Sequence, residues 1–290
     1  MSRRMETEEL KRHVAEAIHE LDNLLSSWMG SSNDVDKKRA QLLSYWVKTY
    51  TSMIRRENDF NPASIPRLAR RQIVNVDFGF RVGSELGGLH YAVVLDKENG
   101  LKGDTVTVVP LGSLKAHHKT SRNKIILEDG IFSALEEKTN NQTREARELI
   151  NSIATDESLI QMDEAARTVE VMKRVATAKN KLDSAQASIN KMKKLKEGSI
   201  ANISQITTIS KMRIKEPTTP HSVLNGVKVS ERDMEQIEKA VVELYISKGV
   251  LKIFLQQGHL SRVNAQKSKN IFYEARMRAI SSRKSCSEHR

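Results

Sequence analysis

The sequence predicts an α+β fold, and three observations carry that reading. Arg70 to Ser113, RRQIVNVDFGFRVGSELGGLHYAVVLDKENGLKGDTVTVVPLGS, is plainly β in pattern: short β-branched and apolar runs separated by Gly, Asn, Asp and Lys. Ser199 to Arg213, SIANISQITTISKMR, returns to the same character. Around and between these stretches, apolar residues recur at the three- and four-residue steps of helices.

The chain as a whole sets the bounds. Its 290 residues suffice for one large or several small domains with a buried core. With 29% charged residues, 4% aromatic residues and a mean hydropathy of -0.51, it reads as a soluble, helix-rich protein. No apolar run approaches the roughly 20 residues of a membrane span, and the polar N-terminus lacks a signal-peptide core. The expectation is therefore no membrane partner. The one cysteine, Cys286, excludes an intramolecular disulfide and a thiolate metal cage, and a reducing cytoplasm is the simple expectation. The net charge of +12 is uneven: residues 1–60 are neutral, 61–130 carry +3, 131–197 carry +1 and 198–290 carry +8. Six of those last eight lie after Ser261, so the end of the chain reads either as a polyanion-attracting tail or as a solubilising one.

Taken in order, residues 1–60 read as a helical hairpin. Val14, Ile18, Leu21, Leu24, Leu25 and Trp28 line one helix, and Gly30-Ser31-Ser32-Asn33 breaks it. Leu42, Leu43, Trp46, Val47, Tyr50 and Met53 line the next. Asn61-Pro62 to Pro66 is a linker, because each proline disfavours helix in the residue before it. Residues 67–130 hold strands at Ile73–Phe78, Ala92–Leu95, Val106–Leu111 and Lys124–Leu127. Between the first two, Gly79, Gly83, Gly87 and Gly88 permit positive φ and close backbone approach, either to a ligand or within a structural hairpin. No Lys-Ser follows, so this is not a nucleotide P-loop. The His117-His118 pair reads as a phosphate-facing loop rather than a metal site, since neighbouring residues diverge and no acidic partner is near.

Residues 131–197 contain neither Gly nor Pro and read as a coiled-coil hairpin. Thr168, Val171, Val175, Ala178, Leu182, Ala185, Ile189 and Met192 form a heptad seam, with the upstream piece folding back after Asn140-Asn141. Gly198 ends the helix. Residues 198–248 hold the second β stretch and a helix opened by Ser230 with Glu231 and Asp233 in its first turn. Residues 249–290 read as a basic helix and tail.

The string RRQIVNVDFGFRVGSELGGLHYAVVL resembles the N-terminal signature of the MazF/PemK family of toxin endoribonucleases. Asp77-Phe78 and Gly83-Ser84-Glu85-Leu86-Gly87-Gly88 match its strand end and loop, and Thr105 to Ser113 its third strand. In Ser199–Arg213, Gln205, Ile206, Thr208 and Ile209 match its last barrel strand. The resemblance covers residues 70–130 and 198–246. It implies a small β-barrel split by the helical insertion, with N- and C-terminal helices added. It also implies a growth-inhibiting toxin of a toxin-antitoxin system that cleaves single-stranded mRNA without metal or other cofactor. The expected partners are that RNA, a cognate antitoxin and a second copy paired through the barrel. The catalytic positions depart from the family: His90-Tyr91 stands for its Arg-Pro, Gly112 beside Ser113 for its threonine, and Thr207 for an arginine.

RNA cleavage needs a proton acceptor for the 2′-OH, charge to meet the phosphate, and a proton for the leaving oxygen. Histidine suits proton transfer near neutral pH, so His90 is the candidate catalytic base or acid, or else a hydrogen-bonded strand-edge residue. Ser113 takes the hydroxyl role if the strand has ended or bulged there. Arg81, Ser84, Lys115 and Arg122 are phosphate candidates, and Gln205 and Thr207 join them through the resemblance. The alternative is a non-catalytic RNA-binding protein that keeps the barrel. A further reading lets the N-terminal hairpin cover the groove.

Overall fold

A computed structural model describes residues 5–115, 119–195 and 198–247, together with Gly249. The His117-His118 pair, Cys286 and the expected basic C-terminal helix lie outside the described residues. The chain divides into two units, Met1–Ile237 and Glu238–Arg290. Among the described residues the fold is mixed α+β, with six α-helices and seven antiparallel strands. None of these helices is long and apolar enough to cross a membrane.

Helices α1 (Thr7–Gly30) and α2 (Asp34–Arg56) form the N-terminal pair, and the Asn33 side chain caps α2 by accepting from the Val35 N–H at 3.0 Å. Helix α1 buries no residue along its 24 positions, whereas α2 buries Ala40 and Met53. Strands β1 (Ile73–Asp77), β2 (Leu89–Val94), β3 (Thr105–Ser113) and β4 (Lys124–Leu127) follow. The sequence places β2 too late by three residues, because the glycine loop already runs into strand at Leu89.

The last β stretch is not one strand. It is β5 (Ser199–Asn202), β6 (Thr207–Ser210) and β7 (Ile214–Glu216), separated by 3₁₀ turns at Ile203–Gln205 and Lys211–Arg213. The first turn is anchored where Ile203 is buried and its N–H donates to Asn123 O at 2.8 Å. The sheet runs β4-β5-β3-β2-β1-β7, with β6 also on β3. Strands β4 and β7 end the sheet, which is not closed among the described residues.

Long β3 organises the sheet. Its first half pairs with β6 (Thr105↔Ser210 to Val108↔Thr207) and its last residues pair with β5 (Leu111↔Ala201 to Ser113↔Ser199). Strand β2 takes part of the other edge (Val94↔Val108 to Ala92↔Pro110). Alternate residues of five strands meet in one core: Val74 and Val76, Ala92 and Val94, Val106 and Val108, Ile209, and Ile214. The intervening Ile73, Val93, Val109 and Leu111 are buried as well, so both faces of the central strands are covered.

The helical insertion leaves and re-enters at neighbouring strands, since β4 and β5 pair directly from Lys124↔Asn202 to Leu127↔Ser199. Closing so long a segment at adjacent strands costs little more than closing a short one. Helix α3 (Gly130–Thr155) runs unbroken through Asn140-Asn141, where a fold-back is expected from sequence. The chain reverses instead at the short helix α4 (Glu157–Ile160), and α5 (Glu164–Met192) returns along α3.

The seam between α3 and α5 is rotated from the sequence reading. Ala178 and Ala185 are buried as expected, but Val175 and Leu182 stay 49% and 44% exposed. Their places on the seam are taken by Arg174 and Lys181, and Ser188 is buried one residue before Ile189. Arg174 reaches Asp156 (2.7 Å), Glu170 (3.0 Å) and the Ser152 hydroxyl (3.1 Å), Lys181 pairs with Glu145, and Gln142 donates to Ser184 at 2.7 Å. Small residues on both helices, Ala146 facing in from α3, allow the close approach, and the charged side chains find fixed partners there.

Helix α6 (Glu231–Tyr245) begins the closing segment. Asp233, fully buried, accepts from the N–H groups of Glu128 (2.8 Å) and Gly130 (3.0 Å), tying the start of α6 to the β4–α3 turn. Lys138 of α3 donates to the carbonyls of Val223 (2.7 Å) and Asn225 (2.9 Å), and burial lowers its pKa against a partial rise from Glu216.

Candidate functional site

The glycine loop between β1 and β2 is built from its own backbone first. The Gly79 N–H donates to Asp77 Oδ1 at 3.0 Å, Gly88 N–H to Gly79 O at 2.7 Å, and Phe78 N–H to Gly88 O at 2.8 Å. Gly79 has φ +79°, and a Cβ there would stand 2.5–2.7 Å from the Trp46 ring of α2. Gly87 could not carry a Cβ either, since it would fall 2.7 Å from Gly79 O. Two of the four glycines are thus demanded by close packing.

Other elements brace the loop from outside. Gln205 accepts from the Leu86 N–H at 3.3 Å and donates to Ser84 O at 3.5 Å. Arg213 sits 5.0 Å from the Trp46 ring and donates to Phe78 O at 3.1 Å. Burial lowers the Arg213 pKa, neighbouring Arg81 lowers it further, and Asp77 opposes both. Arg81 also donates to Phe78 O (3.0 Å) and lies 3.7 Å from Glu85. Between α2 and this loop opens a cavity of about 520 Å³, lined by Tyr45, Trp46, Phe80, Arg81, Asp77 and Lys215 among others. Helix α2 thus packs on the loop while leaving this pocket open.

His90 and Ser113 come together elsewhere. The β2–β3 ladder ends at Ala92↔Pro110, where proline has no N–H to contribute. Beyond it the strands part, and His90, Tyr91, Gly112, Ser113 and Ser199 line a cavity of about 230 Å³. His90 is half-buried and pairs through its backbone with Val76; Ser113 is exposed and pairs with Ser199 as the last residue of β3. Among the described residues, neither side chain has a hydrogen-bond partner, so both are available to a ligand. A second cavity of about 560 Å³ shares Tyr91, Ser113 and Leu195 with the first and adds Lys191, Lys194 and Glu216. Lys191 pairs with Glu216 and stands 5.6 Å from the Tyr91 ring.

The expected site residues therefore divide. His90 and Ser113 share one cavity, and Arg81 lines the aromatic pocket. Leu89 lines both, so the two adjoin. Ser84 is exposed on the loop, and Gln205 serves as its brace. Thr207 is half-buried opposite Val108 at the start of β6, and Lys115 and Arg122 are exposed; none of these three lines the cavities just described. Sequence reasoning passed over Lys191 and Lys194, whose only signal is a lysine-rich helix end. It also gave Tyr91 no role. No family model matches the chain, and no curated protein matches it.

Proposed function

We infer that the protein binds single-stranded RNA and cleaves it in the cavity that holds His90 and Ser113. The observation that carries this reading is that these two residues, distant in sequence, share one small cavity adjoining a lysine-bearing one. His90 takes the proton of the ribose 2′-OH, the 2′-oxygen attacks phosphorus, and the bond to the 5′-oxygen breaks with that oxygen taking a proton from water. The Ser113 hydroxyl donates to the phosphate, and Lys191 and Lys194 supply positive charge beside it. The convergence of five strands on one core, and the β4–β5 pairing across the insertion, support reading the sheet as the interrupted toxin-like barrel. An antitoxin and a second copy paired through the barrel belong to the same reading.

The test is incubation of the purified protein with single-stranded RNA in EDTA. Cleavage that falls roughly 10²–10⁴-fold in His90→Ala is expected. Cleavage unchanged by that substitution sinks the assignment. A second reading, binding without cleavage, is favoured by the pairing of Lys191 with Glu216 and of Arg81 with Glu85, which leaves less free charge for a transition state. Salt-dependent RNA binding with no products in either protein would select it.

A further inference from the structure

The pocket between α2 and the glycine loop has a composition that restricts what it can hold. Its volume, about 520 Å³, falls in the roughly 300–1,000 Å³ range of small-ligand sites. Tyr45 and Phe80 give it aromatic walls, and two carboxylates, Asp77 and Glu85, share its lining with two cations, Lys215 and Arg81. Those charges pair only loosely, at 3.8 Å for Lys215–Asp77 and 3.7 Å for Arg81–Glu85. A purely apolar occupant would face four charged groups with nothing to offer them, and a bare anion would meet both carboxylates. A neutral, planar ring with donors and acceptors along its edge satisfies the walls and both signs of charge together.

The aromatic groups are not equivalent. Trp46 is pinned between Gly79 and Arg213, and Phe80 leans on Trp28 with ring centroids 6.3 Å apart. Tyr45 is 61% exposed on α2, and among the described residues no ring or cation is stacked on it. Leu89 then joins this pocket to the His90 cavity.

We propose that the pocket is a nucleobase site, taking a base adjacent to the phosphate held by the His90 cavity, with Tyr45 as its stacking surface. This rests on the RNA-binding reading and adds to it the source of base preference. Single-stranded binders gain affinity from each base stacked on an aromatic side chain, and edge contacts with fixed charges sort the bases.

The test uses full-length protein carrying His90→Ala, so that the RNA survives, and short homo-oligoribonucleotides of A, C and U. In a Trp28→Phe version the fluorescence reports Trp46 alone. The expected result is a fluorescence change on binding, a preference among the three oligomers, and a roughly five- to hundred-fold loss for the preferred one in Tyr45→Ala. That variant also flattens the preference, and Tyr45→Phe retains both. Because Tyr45 is exposed, its loss leaves the fold intact. Oligomers bound by Tyr45→Ala with unchanged affinity and preference overturn the base site while the RNA reading stands. Absence of binding to any oligomer by the Tyr45-containing protein overturns both.

Discussion

Substituting Gly79 by alanine tests how α2 is held to the glycine loop. The added Cβ would lie 2.5 Å from Trp46 Cζ2 and 2.6 Å from Cε2. Carbon atoms rest at about 3.5–4.0 Å, so the ring must withdraw by roughly 1 Å. It cannot do so freely, because Arg213 is stationed 5.0 Å from the ring. Overpacking of this kind costs about 1–3 kcal/mol, and an L-residue at φ +79° adds about 1–2 kcal/mol. The expected total is about 2–5 kcal/mol. Gly83 is the control: its φ is +60° but nothing lies within 4 Å of its absent Cβ, so Gly83→Ala should cost only the backbone part. Urea unfolding followed by circular dichroism gives each value, and Trp46→Ala completes a double-mutant cycle with Gly79→Ala. The cycle should return a coupling of about 1–3 kcal/mol, because removing the ring removes the clash. Equal costs at Gly79 and Gly83, or strict additivity with Trp46→Ala, would refute the packing argument.

Two further perturbations probe the scaffold. Asp233→Ala strands two N–H groups, those of Glu128 and Gly130, and should cost roughly 2–5 kcal/mol, with Asp233→Asn about half as severe. A midpoint indistinguishable from that of the exposed control Glu235→Ala would contradict this. In the insertion, hydrogen bonds from Ser158 and then Arg174 hold Asp156 below its usual pKa, and Arg174 does the same for Glu170. Carboxylates with depressed folded pKa values contribute fully above their ordinary range of about 3.9–4.3, and the contribution is lost as pH falls through the lower folded values. Arg174→Gln should therefore be less stable than the parent at pH 7 and converge with it in acid; an equal gap at both would argue against an ionic clasp.

Much of this architecture is legible in local pattern, and its failures share a cause. The strands β1, β3 and β4 follow from β-branched runs bounded by turn residues, and the helical character of the two hairpins from apolar spacing. Local pattern reads a residue's neighbours along the chain. It could not show that Ser199–Arg213 breaks into two strands, β5 and β6, because the 3₁₀ turn between them answers to β3, which pairs with β6 along its first half and with β5 at its end. Nor could it show the rotated α5 seam. Val175 and Leu182 satisfy the heptad better than Arg174 and Lys181 do, yet the charged pair wins because Asp156 and Glu145 wait opposite and Glu170 lies one turn before Arg174 on α5 itself.

The candidate site divides in the same way. Sequence alone determined the residue types: a histidine at a strand start, a hydroxyl at a strand end, and glycines that must lie close to something. Tertiary structure decided that His90 and Ser113 share a cavity, that Gln205 braces the loop, and that Trp46 is what the glycines admit. It also brought Lys191 and Lys194 from the insertion to the second cavity, which adjoins that one through Tyr91, Ser113 and Leu195. Residue chemistry is written locally, but which groups meet depends on where β2 and β3 part beyond Pro110 and where α5 ends. Those are properties of strand register and helix packing, set by contacts between segments far apart in the chain.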